Sequence, residues 1–533
     1  MRSHIEAIWR LGRALLALPV ALLGLGFVLP QSSSEAASIW VVCGDELRPG
    51  LDRWVEKRQE QGYDVDFVSP NATAIGTLRA MIDRSRQPPE YVLLVGDAPK
   101  IGNQADIKRQ VPTFYQPTME TARFGNTPTF PTDLPYSDLG SNTRPDAKRG
   151  DGIPDLAVGR IPAHGVEELS KFVGKLLAHE ESDPNEEGFN RIRLVGGLGG
   201  FGFVTDRAIE TVTRSIVTSR LPKYVRTDIR FASPGHAFYP AGSFREAVLA
   251  DYASSPRFWI YAGHGFIDSL DRVPNNESGQ TILDNASCSQ LRLEGDRRPI
   301  AVMLACFTAA VDAPQPSIAE SMMMLESGPV AVIAAGRMTM PYGNTRLAIE
   351  LIESVFQQDS EAQRHETMGD AWLKSCRQTI TRTESDGLVA VVDSLAGVLT
   401  PGNGNQQVER VEHASMYQLL GDPTMRLRHR TTMNIEADRS EDRRWILLNY
   451  RSPIDGMMTV HVERSLSSLA GMEQGTPREL KSFKVPVAAG RKDRYDIELT
   501  DSMSGLLNVR VDVTPNIPGQ EAAAGGVQVM VAR

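Results

Sequence analysis

Short apolar runs closed by turn residues alternate with amphipathic stretches of helical period along most of this chain. Residues 38–43, 63–69 and 91–95 read as strands, with helices at 51–61 and 73–85 between them. Runs such as YVLLV are apolar at every position, as strands buried on both faces are. Their alternation with helices predicts a parallel sheet of α/β type. The pattern breaks at 112–149, a stretch rich in Pro, Thr, Asp and Asn that reads as a long surface excursion. Long loops in compact domains are commonly functional. Strand and helix return at 155–160 and 166–181, and the acidic segment EESDPNEEGFN at 180–190 reads as a linker.

A second α/β round follows, with strands at 191–195, 224–231, 258–262, 299–304 and 329–335. Helices are expected at 205–219, 243–254, 317–326, 347–357 and 366–382. Ser317 with Glu320 fits a capping box, and the methionines that follow read as core filler. From Thr432 onward the period changes to short alternating runs such as RWILLNY and GLLNVRVDV, separated by turn residues. That pattern predicts an all-β sandwich of immunoglobulin-like size. The expected divisions are therefore 1–36, 37–185 and 186–431 (the two α/β subdomains), and 432–533.

The first segment changes the expected compartment. Arg2, Arg10 and Arg13 precede an apolar run at 14–30, and small residues Ser34 and Ala36 follow. This is the layout of a cleaved export signal; the alternative is an uncleaved anchor, the one way this chain would hold a membrane. Either reading places the rest of the chain outside the cytoplasm: secreted, periplasmic or on the cell envelope. The net charge of -9 over 533 residues, with no basic stripe, excludes a nucleic-acid surface. There are four cysteines, of which Cys43 and Cys376 sit in apolar or helical contexts and read as buried thiols. Cys288 and Cys306 remain, either as a disulfide or with Cys306 free for chemistry.

Two strand ends carry that chemistry. FWIYAGHG delivers His264 and Gly265, and PIAVMLAC delivers Cys306. Ligands of open α/β sheets sit at the carboxyl ends of strands, so an imidazole and a thiol can meet on one rim. A Cys and a His distant in sequence but adjacent in the fold form a candidate nucleophilic pair. A second His-Gly, at His164, follows a GRIP turn and reads as structural. Gly197, Gly199 and Gly202 satisfy G-x-G-x-x-G between a strand and a helix, the context of a dinucleotide site. The acid expected at the next strand end is missing, since Asp228 lies inside that strand and Phe231 ends it. A nicotinamide enzyme is also out of place in an exported chain.

The ordered motifs LPYSDL at 134–139, GDGIPDLAVGRIP at 150–162, the His-Gly and Ala-Cys strand ends and LLGDPTMRL at 419–427 resemble the gingipain family. That family belongs to the caspase–legumain–gingipain clan of cysteine peptidases, and the resemblance spans about 38–533. It implies a caspase-like parallel-sheet α/β catalytic region in two subdomains, followed by the sandwich. It also implies a monomeric endopeptidase acting on proteins or peptides through a thioacyl intermediate, with no cofactor required for the chemistry. Cys306 would be the nucleophile and His264 the acid–base, with the Gly265 and Cys306 amides binding the oxyanion. Asp138 matches the acid that orients the histidine, with Asp133 a rival on the same loop. Asp151 matches the acid at the base of the primary pocket of arginine-specific members, implying cleavage after Arg or Lys. Read from the residues alone, Asp146, Asp151 and Asp155 around Gly152 have the spacing of a structural calcium loop, or of a plain solvated turn. Phe307 after the nucleophile and the lack of a long propeptide depart from the family. An inactive scaffold that displays the sandwich for cell-surface binding is the competing reading.

Overall fold

A computed structural model describes residues 37–533, apart from 85–88, 141–147, 149, 184, 200–202, 235, 275–278, 357–366, 384–386, 401–403 and 532–533. The export segment, Asp146 and Gly202 thus lie outside the described residues. The core of the structure is one sheet of ten strands. In chain order they are β1 (Ala37–Cys43), β2 (Tyr63–Val68), β3 (Tyr91–Val95), β4 (Ala157–Ile161), β5 (Arg191–Gly196), β6 (Arg226–Phe231), β7 (Phe258–Ala262), β8 (Ile300–Leu304), β9 (Ala331–Ala335) and β10 (Tyr417–Leu420). Their spatial order is β2-β1-β3-β4-β10-β9-β8-β7-β5-β6. The apolar runs are strands for the reason their composition suggests: β3 and β9 are buried at every position.

Both α/β rounds share this sheet, and its two halves run in opposite directions. β10 pairs antiparallel with β9 and parallel with β4, whereas the remaining pairs in the sheet are parallel. Ala335 lies opposite Tyr417, and Leu420 opposite Arg160. The starts of β4 and β10 therefore share a rim with the ends of β7, β8 and β9. This brings the described part of the 112–149 excursion to the rim where β7, β8 and β9 end. Part of the excursion is ordered as a hairpin, Phe114–Pro117 with Thr129–Thr132, which the residue pattern did not predict. Asn126 from the hairpin loop donates to the Met338 carbonyl at 3.2 Å, and the Tyr115 hydroxyl to Asp312 at 3.0 Å.

The helices that matter for the site are α1 (Val166–Glu181), α2 (Phe203–Arg220), α3 (Ile318–Met323), α4 (Pro341–Phe356) and α5 (Gln406–Met416). α3 starts at the predicted capping box, with both reciprocal hydrogen bonds formed. α4 starts six residues before the expected 347, because Pro341 sits well at a helix start and its missing N–H costs nothing there. The closing motif is an internal anchor: buried Asp422 accepts from Arg58 at 2.8 Å, and Arg58 also pairs with Glu180. Among the described residues no helix is long and apolar enough to cross a membrane.

Beyond Thr431 the chain forms a five-stranded and a three-stranded sheet around a separate core of Ile446, Leu448, Val460, Val509 and Val511, among others. This is the β-sandwich expected from the alternating pattern. It rests on the α/β region through a polar seam, in which Arg478 pairs with Asp228 at 3.2 Å and Arg430 with Asp512 at 2.7 Å.

Candidate active site

β7 and β8 are neighbours in register, with Ala262 opposite Leu304. His264 and Cys306 are each the second residue beyond that pair, so the strand ends bring them to one rim. Both are half-buried. The two turns touch directly: a Cβ on Gly265 would fall 2.5 Å from the Cys306 carbonyl oxygen, so only glycine fits there. Among the described residues, neither the Gly265 nor the Cys306 amide donates to a backbone carbonyl. Two unspent N–H groups beside a thiol are the parts of an oxyanion site.

The thiol is held from the other side. The Thr339 amide donates to Cys306 Sγ at 3.3 Å, and the thiol lies 3.6 Å from the Thr339 carbonyl. Burial pushes the Cys306 pKa up, while the Thr339 contacts pull it down. Thr339 belongs to a chain of hydrogen bonds in which Tyr417 donates to Asn344 at 2.7 Å and Asn344 to Thr339 Oγ1 at 3.0 Å. His413 accepts the Met340 amide at 2.8 Å, which fixes the same segment. All four cysteines are free, so the Cys288–Cys306 bridge is not formed. Cys43 and Cys288 are buried with pKa values pushed up to about 12 by desolvation, which marks them as inert. Cys306 is the one thiol that is not fully buried.

The nucleophile turn is strained and clamped. Phe307 has a left-handed φ of 61°, uncommon for a non-glycine residue. Its amide donates to the Arg337 carbonyl at 3.1 Å, and the buried Arg337 side chain grips Asp312 through two bonds of 2.8 and 2.6 Å. Nothing in the residue pattern pointed to Arg337 or Asp312, because their pairing joins two loops.

The acids expected on the excursion have partners close to it. Asp138 accepts the amides of Gly150 and Gly152 at 2.9 and 2.8 Å. It follows the helical turn Leu134–Ser137, and the Ser137 carbonyl accepts the Asp155 and Leu156 amides just ahead of β4. Its rival Asp133 is consumed by Arg160 of the GRIP turn, at 2.8 and 2.7 Å. Asp151 is exposed and accepts the Ile153 amide at 3.0 Å, while buried Asp155 accepts the Gly140 amide at 2.7 Å. Asp155 Oδ1 is buried without a hydrogen bond among the described residues, and Asp146, the third acid of the expected calcium loop, lies outside them. His164 contacts Asp97 and Glu168, in keeping with a structural role.

A cavity of about 380 Å³ opens at the ends of β7 and β8, between β5, β7 and β8 on one side and α2 and α4 on the other. Gly263 and Leu304, which precede His264 and Ala305–Cys306, line it, and aliphatic side chains such as Leu194, Ile260 and Ile352 form its walls. Two carboxylates, Asp206 and Glu210 of α2, lie in the lining. Glu210 pairs with His236 at 3.0 Å. Asp206 rests against the glycine loop, where a Cβ on Gly199 would fall 2.5 Å from its Oδ2. Asp206 was missed in sequence, although its position in the first turn of a helix after a glycine-rich loop was legible. The same acid, set against Gly199, also disfavours bound phosphates there and with them the dinucleotide reading.

Comparison with known proteins follows the same lines. A model of peptidase family C25 matches residues 32–428. Among solved structures, the Arg-specific cysteine proteinase gingipain R matches with a TM-score of 0.53 at 14% identity, covering 93% of this chain and 99% of that one. The complex of Porphyromonas gingivalis RgpB pro- and mature domains matches with a TM-score of 0.52 at 15% identity, covering 92% and 100%. At this identity the structures show a shared fold. A search of curated proteins found no match.

Proposed function

The chain belongs to peptidase family C25 and is a cysteine-type peptidase, and on that premise we propose that it is an exported endopeptidase working through Cys306 and His264. The observation that carries this reading is the in-register pairing of β7 and β8, which sets His264 and Cys306 on one rim beside the free amides of Gly265 and Cys306. The Cys306 thiolate attacks the scissile carbonyl carbon, and the carbonyl oxygen becomes an oxyanion held by those two amides. The tetrahedral intermediate collapses as the C–N bond breaks, and His264 gives its proton to the departing amine. Water, deprotonated by His264, then attacks the thioester, releasing the acid and restoring the thiol. No step passes through a metal ion, and calcium at the 146–155 loop would act on structure alone.

For the residue before the scissile bond we favour Arg or Lys. An aliphatic cavity with carboxylates in its lining suits a side chain that has an apolar stem and a cationic head. In this reading Asp206, rather than Asp151, receives the charge. The sandwich, of immunoglobulin-like size, serves to position the monomeric enzyme, and the product stays outside the cytoplasm.

Hydrolysis of fluorogenic peptide amides by the purified protein and by Cys306→Ala, Asp206→Asn and Asp151→Asn tests these assignments. Cys306→Ala is expected to lose turnover. Asp206→Asn is expected to lower kcat/KM on Arg and Lys peptides by about 100-fold, as when one partner of a desolvated charge pair is removed. Asp151→Asn is expected to change little. Selectivity lost in Asp151→Asn instead would return the role to that loop, and turnover surviving in Cys306→Ala would sink the dyad.

A further inference from the structure

Asp271 is buried beneath the turn that carries His264, and the reaction steps above give it no part. Its neighbour Leu270 forms an antiparallel bridge with Gly265, so the chain doubles back under the catalytic turn. Tyr261, at the end of β7, fills the space between. Its hydroxyl donates to the His264 carbonyl at 2.7 Å and accepts the Asp271 amide at 3.3 Å.

The Asp271 carboxylate faces the amides of His264, Leu198 and Arg272, the Tyr261 hydroxyl, and the charge of His264. Its Oδ2 is buried without a hydrogen bond. The glycine loop makes room for it: a Cβ on Gly197 would fall 2.7 Å from Oδ2 and 2.6 Å from the Tyr261 hydroxyl. Burial raises the Asp271 pKa, while His264 and then the amides oppose that rise. Buried carboxylate oxygens are as a rule placed on donors. This one leaves an oxygen unspent in a buried pocket beside a group that turns cationic during catalysis. Among the described residues, Tyr261 and His264 are ionisable neighbours of this carboxylate, and Cys306 is a neighbour of Tyr261.

We propose that Asp271 is the positioning residue of the dyad: its buried carboxylate holds the His264 turn from below and stabilises the imidazolium that protonates the leaving amine. It would thereby take the role that the resemblance assigned to Asp138, which accepts the Gly150 and Gly152 amides. The inference rests on the Cys306–His264 reading. Tyr261 completes the support by locking the His264 carbonyl, which leaves the imidazole to be steered by the charge beneath it.

The test is the steady-state kinetics of the whole protein on an Arg or Lys peptide amide, for the wild type, Asp271→Asn and Asp271→Glu, with Cys306→Ala and His264→Ala as controls and the folded fraction of each measured by circular dichroism. Removing the charge is expected to cut kcat per folded enzyme about tenfold with KM nearly unchanged. Asp271→Glu, which keeps the charge, is expected to recover part of that loss. If Asp271→Asn does not fold, the kcat of Asp271→Glu against that of the wild type makes the reading, since a displaced carboxylate lowers kcat and leaves KM. Activity that falls only with the folded fraction would overturn the proposal and leave Asp271 a structural tie. Turnover that survives in Cys306→Ala or His264→Ala would overturn the dyad itself, a separate outcome.

Discussion

Cys306 is one of four thiols, and what distinguishes it is the company of its turn rather than its own chemistry. The turn forces Phe307 into a left-handed conformation, and such strain persists only where surrounding contacts over-determine it. Here those contacts are the Phe307–Arg337 backbone bond and the Arg337–Asp312 pair, both buried. Replacing Arg337 by Met leaves Asp312 charged and unpaired, and is expected to cost about 3–5 kcal/mol in urea unfolding. Arg337→Met with Asp312→Leu is expected to recover much of that loss, because the uncompensated charge goes with its partner. A loss as large in the double variant would mean that packing, not charge, holds the turn. Cys306 and His264 were legible in sequence as candidates because each ends an apolar run. Asp138 and Asp151 were legible only as motif positions, and the donors that claim them are backbone amides of their own loop, which no motif records.

At the scale of elements, α3 shows how a local signal acquires a distant partner. Its capping box was readable from Ser317 and Glu320, since the spacing alone dictates the two bonds. The meeting of Glu320 with Asp97, after β3, was not readable, because it depends on how the sheet carries the two elements. Burial and then the Asp97 charge raise the Glu320 pKa above its ordinary 4.5. Asp97 stays ionised despite burial, its pKa lowered by its neighbours His164, Glu320 and Lys100. Glu320 is therefore protonated in the folded chain at pH values where the unfolded chain has released that proton. Its contribution is complete below the unfolded value and declines as pH rises, by about 1.4 kcal/mol per unit, until Glu320 itself ionises. Glu320→Gln copies the protonated form and lacks this decline. Its stability relative to the wild type is expected to grow between about pH 5 and 6.5, measured by urea unfolding at each pH. A constant difference across that window would show that Glu320 is ionised in the fold.

For the whole molecule, the decisive feature is the seam at β10, where the sheet reverses. It turns two consecutive α/β rounds into one platform and brings the described part of the 112–149 excursion to the rim that carries His264 and Cys306. The β-sandwich is held on by charge and by close backbone approach. Asp228 stays ionised because Arg478, Arg193 and Arg226 surround it, against the cost of burial. A Cβ on Gly526 would fall 2.2 Å from the Lys223 backbone, a clash that no side-chain rotation relieves. Gly526→Val is expected to lower the unfolding midpoint by several degrees, a cost of about 1–3 kcal/mol as for other overpacked sites. It is also expected to speed proteolysis between the α/β region and the sandwich. A variant with the wild-type midpoint and cleavage pattern would show that the two parts are joined loosely.

The residue order by itself determined the strands, most helices, the change of period near Thr432 and the placement of a thiol and an imidazole at two strand ends. Those are local consequences of apolar periodicity, capping residues and strand-end placement. Only the tertiary structure decided the reversal at β10, the cavity with Asp206 in its lining and the burial of Asp271 under His264. Each of these depends on which distant segments the sheet places side by side, and a carboxylate's role is set by the donors and charges that then surround it.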